Sequence, residues 1–202
     1  MNFKPHPSPH DYGILSMEDI GFWENTLQRV AMDFGEVVML ELGVANGGTT
    51  IGTKRHCDKM GWPFRWVGLD MTCGRPTFDL GDWGSFVEGD IQSPENNAQV
   101  PENTFNLLLV DSCHCRFCCT ADFLGYNSKV VVGGYVSFHD SNPDPNWALH
   151  HEQCRPDRFI DVRGALADLK LLPCTRPDYQ FIGEQANGKT QGMYLIQKLA
   201  ML

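Results

Sequence analysis

The chain has 202 residues, 42% of them hydrophobic, and a formal net charge of −9, which is enough for one domain with a full core and short for two. No run of lysine or arginine forms a stripe, so DNA, RNA and an anionic membrane surface meet general repulsion. Small molecules are the expected partners, and a homo-oligomer stays open.

The first ten residues are rich in Pro and His without an apolar core, and no later apolar run reaches membrane-spanning length, so a cytoplasmic protein is expected. Ser16 then reads as the N-cap of a helix with an apolar stripe of Ile20, Trp23, Leu27, Val30 or Ala31, and Phe34, stopped by Gly35. Its aromatic residues are expected in the core, with a substrate-lid role for Phe22 or Trp23 as the alternative. The single domain, 1–202, divides on this reading into a helical extension, 1–35, and a core, 36–198.

The apolar run 37–42 contains Glu41 and feeds Gly43-Val44-Ala45-Asn46-Gly47-Gly48. That pattern is a buried parallel strand, a tight turn and the start of a helix over 49–60, the usual cradle for a small cofactor. Gly43-x-Ala45-x-x-Gly48 matches the dinucleotide fingerprint only in part, because alanine stands where the second glycine admits a pyrophosphate. Glu41 argues for a different ligand, since a carboxylate beside the turn repels a pyrophosphate and attracts the ammonium of S-adenosylmethionine.

A second strand, 65–70, ends in Asp70, about 20 residues past the turn, where a carboxylate takes the ribose hydroxyls of an adenosine; Met71 follows it. The stretch 71–85 reads as a loop able to cover a ligand. A third strand, 86–91, carries Asp90, positioned for the adenine amino group, and Ile91, positioned to pack on the ring; a plain turn acid is the alternative for Asp90. The fourth strand, 105–111, ends in Asp111 and the fifth, 133–140, in His139-Asp140. Because ligands of open parallel sheets bind beyond the carboxyl ends of the strands, Glu41, Asp70, Asp90, Asp111, His139 and Asp140 are expected along one rim.

Between the last two strands a helix is expected over 115–129. It contains most of Cys113-x-Cys115-x-x-Cys118-Cys119, part of a total of eight cysteines. With no export signal these read as free thiols, and as small buried hydrophobes in preference to a zinc site completed by His150, His151, Cys154 or Cys174. After a helix over 160–172, the strands 179–183 and 193–196 are too close for a helical crossover and must form an antiparallel hairpin. The expected fold is therefore α/β: a seven-stranded, mostly parallel Rossmann-like sheet with a C-terminal antiparallel hairpin and helices on both faces.

Glu41-x-Gly43-x-x-x-Gly47 resembles the first motif of the class I S-adenosylmethionine-dependent methyltransferases. Asp111-x-x-His114, Asp122, Gly133-Gly134 and His139-Asp140 resemble a subgroup of small-molecule O-methyltransferases related to the macrocin and cephalosporin-pathway enzymes. The resemblance runs over 36–198 and departs at Ser112 and Arg116, where that subgroup has glycine and tyrosine. It implies transfer of a methyl group to a hydroxyl of a small acceptor, with S-adenosylmethionine held by Glu41, Gly43, Ala45, Gly47, Asp70, Met71, Asp90, Ile91 and Asp111. It also implies a divalent cation, magnesium or manganese, held by Asp111 and Asp140 with His139 as third ligand or base, and His114 as a second candidate base. The alternatives are a metal-independent transferase with a histidine base and an NAD-binding oxidoreductase. The Asn- or Asp-Pro-Pro-aromatic motif of nucleic-acid amino methylation is missing after the fourth strand, where Asp111-Ser112-Cys113-His114 stands.

Overall fold

The computed structural model describes residues 16–71, 76, 78–142, 160–185 and 192–201. His150, His151 and Cys154, and the N-terminal stretch of Pro and His, lie outside the described residues. Helix α1 (Met17–Phe34) starts where its cap requires: Ser16 Oγ accepts the Asp19 N–H at 3.1 Å, and Gly35, in the left-handed conformation at φ 75°, closes the other end through its N–H to Ala31 C=O. Strand β1 (Val37–Leu42), helix α2 (Gly48–Met60), strands β2 (Phe64–Asp70) and β3 (Gly84–Glu88) and the short helix α3 (Pro94–Asn97) follow. Then come β4 (Phe105–Val110), α4 (Arg116–Tyr126), β5 (Val130–His139), α5 (Val162–Asp168), β6 (Tyr179–Gln185) and β7 (Met193–Lys198).

The described strands form one seven-stranded sheet in the order β3-β2-β1-β4-β5-β7-β6. The first five strands run parallel, whereas β7 pairs antiparallel with both β5 and β6. The hairpin expected from the short spacing is thus present, with β7 inserted between β5 and β6.

Alternation along the strands explains the two cores. Val38, Leu40 and Leu42 of β1, with Leu108 and Val110 of β4, face Phe123 and Tyr126 of α4 and Ala165 and Leu166 of α5. Val37 and Met39, with Leu107 and Leu109, face Trp23, Leu27 and Val30 of α1. Each such Leu or Val, fully buried, contributes about 1.5–3 kcal/mol against the cost of chain ordering. Trp23 is completely buried and donates from Nε1 to Thr53 Oγ1 at 2.8 Å, which makes it core and pins α1 to α2; Phe22 packs beside the same core.

Several boundaries differ from the sequence reading. β3 ends at Glu88 because Gly89 and Asp90 already turn, and Ser93 and Pro94 then cap and start α3. The helix expected over 160–172 is cut to Val162–Asp168, since Lys170 enters the left-handed region at φ 58°. Cys115 is the N-cap of α4 and not its first turn. None of these shifts moves the carboxyl ends of β1, β2, β4 and β5, which lie side by side on one rim.

Candidate functional site

A cavity of about 310 Å³ opens on that rim, with Glu41, Gly43, Val44, Ala45, Asp70 and Met71 on one side and Ile91, Ser112, His114 and Asp122 among the residues opposite. The turn after β1 builds its floor. Gly43 sits at φ 88°, and a Cβ there would lie 2.2 Å from the Asp111 carbonyl oxygen, so glycine is required where the β1 and β4 ends cross. Ala45 occupies the left-handed region without glycine's freedom, at φ 49°, a cost of order 1–3 kcal/mol met by local bonding. That bonding comes from Asp70: its Oδ2 accepts the Val44 and Ala45 N–H groups, each at 2.8 Å, and its Oδ1 accepts the Met71 N–H at 2.6 Å. Oδ2 is saturated by the turn, and Oδ1 keeps acceptor capacity toward the cavity.

Glu41 is 1% exposed, and its Oε2 accepts from Trp66 Nε1 at 2.7 Å and from the Thr50 hydroxyl. Burial pushes its pKa up to about 8, against the lowering pull of those two donors. The carboxyl is therefore held in position but largely protonated until a cation meets it.

At the other end of the cavity, four ionisable groups from the ends of β4 and β5 converge. Asp111 Oδ1 lies 2.8 Å from His139 Nδ1 and 3.2 Å from His114 Nε2, and His114 Nε2 lies 2.9 Å from Asp140 Oδ2. One ligand atom from each of the four falls within 4.8 Å of the others. Asp140 is placed by an unusual backbone, φ 55°, and among the described residues its Oδ1 and the His139 Nε2 are buried without a hydrogen-bond partner. Burial opposes charge on both histidines, yet the two carboxylates outweigh it and push His114 up to about 10 and His139 up to about 9. Burial alone would raise Asp111, but the two imidazoliums hold it well below the usual carboxylate range. Two carboxylates and two imidazoles within one ion's reach form an O/N donor set suited to manganese, iron or zinc as well as magnesium. A cation there would replace the protons now shared between nitrogen and oxygen.

The structure thus brings Glu41, Gly43, Ala45, Asp70, Met71, Ile91, Asp111 and His114 into the cavity wall, and sets His139 and Asp140 against Asp111 and His114. Two expected residues stand apart. Asp90 is exposed and outside the wall; its Oδ1 accepts the Gln92 N–H at 2.9 Å and its carbonyl accepts from Ser93 and Asn96. Gly47 is the left-handed N-cap of α2, also outside the wall, and a Cβ on it would strike Phe78 at 2.3 Å, so it admits the Phe78 ring from before β3.

Sequence reasoning did not find Trp66 and Thr50 as the partners that hold Glu41, and it had Asp122 only as part of a resemblance. Asp122 is buried in the cavity wall, accepts from Ser112 Oγ and Gln92 Nε2, and is pushed up to about 6 by burial. A signal was present: Asp122 interrupts the buried stripe Cys118, Cys119, Phe123, Tyr126 of α4, and an acid on a core-facing stripe calls for polar company. Among the described cysteines Cys113 departs from expectation, since it is disulfide-bonded. Cys57, Cys115, Cys118, Cys119 and Cys174 are thiols, as expected.

No family model and no curated protein matches the chain. Solved structures do. A Klebsiella pneumoniae protein assigned as an O-methyltransferase superposes with a TM-score of 0.65 at 15% identity, over 98% of this chain and 93% of its own. The O-methyltransferase TomG of Streptomyces achromogenes, in complex with SAM, gives 0.59 at 16% identity over 88% and 80%. The N-methyltransferase NodS of Bradyrhizobium japonicum gives 0.55 at 14% over 90% and 97%. Likeness at such identities shows the fold: the chain has the class I methyltransferase fold. Among the described residues no helix is long and apolar enough to cross a membrane.

Proposed function

We propose that the protein is an S-adenosylmethionine-dependent methyltransferase acting on a hydroxyl of a small molecule, with a divalent cation at Asp111, His114, His139 and Asp140. The observation that carries the reading is the pairing of two distinct half-sites on one rim. One is a turn, a carboxyl and an acid arranged for an amino-acid-bearing nucleoside; the other is a four-residue O/N donor cluster beside it. Neighbours in the structural comparison methylate both oxygen and nitrogen, so the preference for oxygen rests on the donor cluster and not on the fold.

In this reading S-adenosylmethionine supplies the methyl group. Glu41 would lose its proton to meet the ammonium, Asp70 Oδ1 would accept from a ribose hydroxyl while Oδ2 keeps the turn closed, and Ile91 would pack against the adenine. A divalent cation in the cluster would lower the pKa of an acceptor hydroxyl. Asp111 stands at the junction of both halves and orients His139 and His114 through one oxygen. A histidine acting alone as base is the weaker reading: both rings are held as imidazolium near neutral pH by the flanking carboxylates, and an imidazolium has no lone pair to take a proton. An NAD-dependent oxidoreductase is disfavoured by the antiparallel β7 within the sheet and by Glu41 beside the turn.

The test is calorimetry and thermal melting with S-adenosylhomocysteine and with NAD. At a hundredfold excess over the dissociation constant the former is expected to add ~2.7 kcal/mol, or roughly 5–11 °C in Tm. Equal or larger stabilisation by NAD refutes the reading. Transfer to a panel of hydroxylated and amino acceptors, with and without chelator, then checks both the oxygen preference and the cation.

A further inference from the structure

Opposite Asp70 the cavity wall contains Ile91, Gln92, Ser112 and Asp122, and the last three are joined by hydrogen bonds to which the proposed chemistry gives no task. Asp122 is 2% exposed, yet its carboxyl meets two polar groups of the wall. The Ser112 hydroxyl donates to Oδ2, and Gln92 Nε2 donates to Oδ1 at 3.4 Å. The backbone at Gln92 is held as well: its N–H donates to Asp90 Oδ1 at 2.9 Å, and the carbonyl of the preceding Ile91 accepts from the Tyr126 hydroxyl at 2.8 Å. Gln92 is thus an exposed side chain on a fixed backbone, with one end of its amide tied to a buried acid. An ionised carboxylate accepts and cannot donate, so the end tied to Asp122 is the NH2 group and the end left for the cavity is Oε1.

We propose that Asp122 is a positioning residue that fixes the Gln92 amide with its oxygen toward the cavity, so that Gln92 selects a 6-aminopurine nucleoside over a 6-oxopurine one. The inference rests on the methyltransferase reading, in which Asp70 takes the ribose and Ile91 the face of the base; Gln92, the next residue in the wall, then meets the edge of the base. An adenine edge presents an N–H donor at its 6-position, which an amide oxygen accepts. A 6-oxo group presents an acceptor there, and two oxygens face each other with neither satisfied. Ser112 sets the polarity of the device from the other side, because its hydroxyl occupies one Asp122 oxygen as donor and leaves the second for Gln92. In Asp122→Asn the Ser112 hydroxyl would donate to the amide oxygen, which turns the new NH2 group toward Gln92. Gln92 would answer with Oε1 and present its own NH2 group to the cavity, and the base preference would invert. A link that merely ties the turn before α3 to α4 predicts something else, since weakening it lowers affinity for both bases alike.

The experiment is calorimetric titration of the full-length protein with S-adenosylhomocysteine and with its deaminated counterpart, S-inosylhomocysteine. It is run at about pH 8, where the Asp122 carboxyl, pushed up to about 6 by burial, is ionised. Wild type is expected to bind the adenosyl compound at least about tenfold more tightly, the worth of one hydrogen bond set against two opposed acceptors. Gln92→Met, which keeps the length of the side chain and removes both ends of the amide, is expected to bring the two affinities within about twofold. Asp122→Asn is expected to cancel or reverse the preference, through tighter binding of the inosyl compound and weaker binding of the adenosyl one. Equal affinities in wild type, an undiminished preference in Gln92→Met, or parallel weakening of both compounds in Asp122→Asn each overturn the inference and leave the methyltransferase reading standing. Binding of neither compound to wild type overturns both. Should the buried substitution at Asp122 prevent folding, Gln92→Met on the exposed rim still decides the matter.

Discussion

The two ends of the cavity solve opposite problems. At the β1–β2 end, the turn N–H groups of Val44, Ala45 and Met71 and the side chains of Trp66 and Thr50 satisfy Asp70 and Glu41, so each carboxyl is fixed by neutral donors. At the β4–β5 end, charged groups satisfy one another: two carboxylates and two imidazoliums share short contacts, and some atoms remain without partners among the described residues. The first arrangement is fixed before any ligand arrives, which lowers the ordering cost of receiving one. The second is a charge cluster whose protons are exchangeable for a cation. The difference teaches that the halves should fail separately when mutated, and their separability can be broken or sharpened by experiment.

The largest expected effect lies in the charge cluster. Asp140→Asn removes one carboxylate while keeping shape, and methyl transfer should fall by roughly a thousandfold, as loss of a Lewis-acid contribution of several kcal/mol implies. Affinity for S-adenosylhomocysteine should stay within about threefold, because the halves are held by different partners. Parallel titrations by calorimetry and rate measurements decide it. A large loss of cofactor affinity would mean that the two ends act as one unit.

Next in size is the seam where the halves meet. Gly43 passes over the Asp111 backbone with no room for a Cβ and with φ 88°. Gly43→Ala should cost about 2–4 kcal/mol from strain and overlap, or roughly 5–15 °C in Tm. It is also expected to weaken cofactor binding and slow transfer together, since it displaces both Val44 and Asp111. Differential scanning calorimetry beside the two functional assays would show whether one backbone crossing serves both ends; an unchanged Tm removes the seam from the account.

Legibility in the sequence follows the same division. The rule that ligands gather at the carboxyl ends of parallel strands needed only the apolar runs, and it put Glu41, Asp70, Asp111, His139 and Asp140 on one rim before any coordinates. The hairpin was readable because the spacing between the last two strands leaves no room for a helix. What resisted reading were partners that depend on register. Trp66 reaches Glu41 because β1 and β2 pair with Met39 opposite Trp66 and Glu41 opposite Gly68, where the absent side chain of Gly68 opens space beside the Trp66 ring. No periodicity encodes that. The placement of Asp90 outside the wall was unreadable for a similar reason: an acid at a strand end and one just past it look alike until the backbone after Glu88 is seen to turn at once.

The smallest effect probes how Glu41 is tuned. Trp66→Phe keeps most of the aromatic packing and deletes the Nε1–H donor to Oε2. That donor lowers the Glu41 pKa against the burial that raises it, so its removal should move the value further above 8. An ammonium ligand needs the carboxylate, so cofactor affinity should rise with pH up to the folded pKa in wild type, and the rise should shift to higher pH in the variant. At pH 7 the loss should be about 0.5–1.5 kcal/mol, the net worth of one hydrogen bond, and it should shrink as the pH is raised past the variant's pKa. Stability without ligand runs the opposite way with pH. A carboxyl with a raised pKa holds its proton in the folded state and not in the unfolded one between its ordinary value of 4.5 and about 8, so its contribution is complete below that window and is lost as pH rises through it. The variant should therefore lose stability over a window that extends to higher pH. Binding isotherms in buffers of different ionisation enthalpy check the first point, because proton release on binding at pH 7 should be close to one in both proteins. Release near zero in wild type would mean that Glu41 is already ionised and that burial does not govern it.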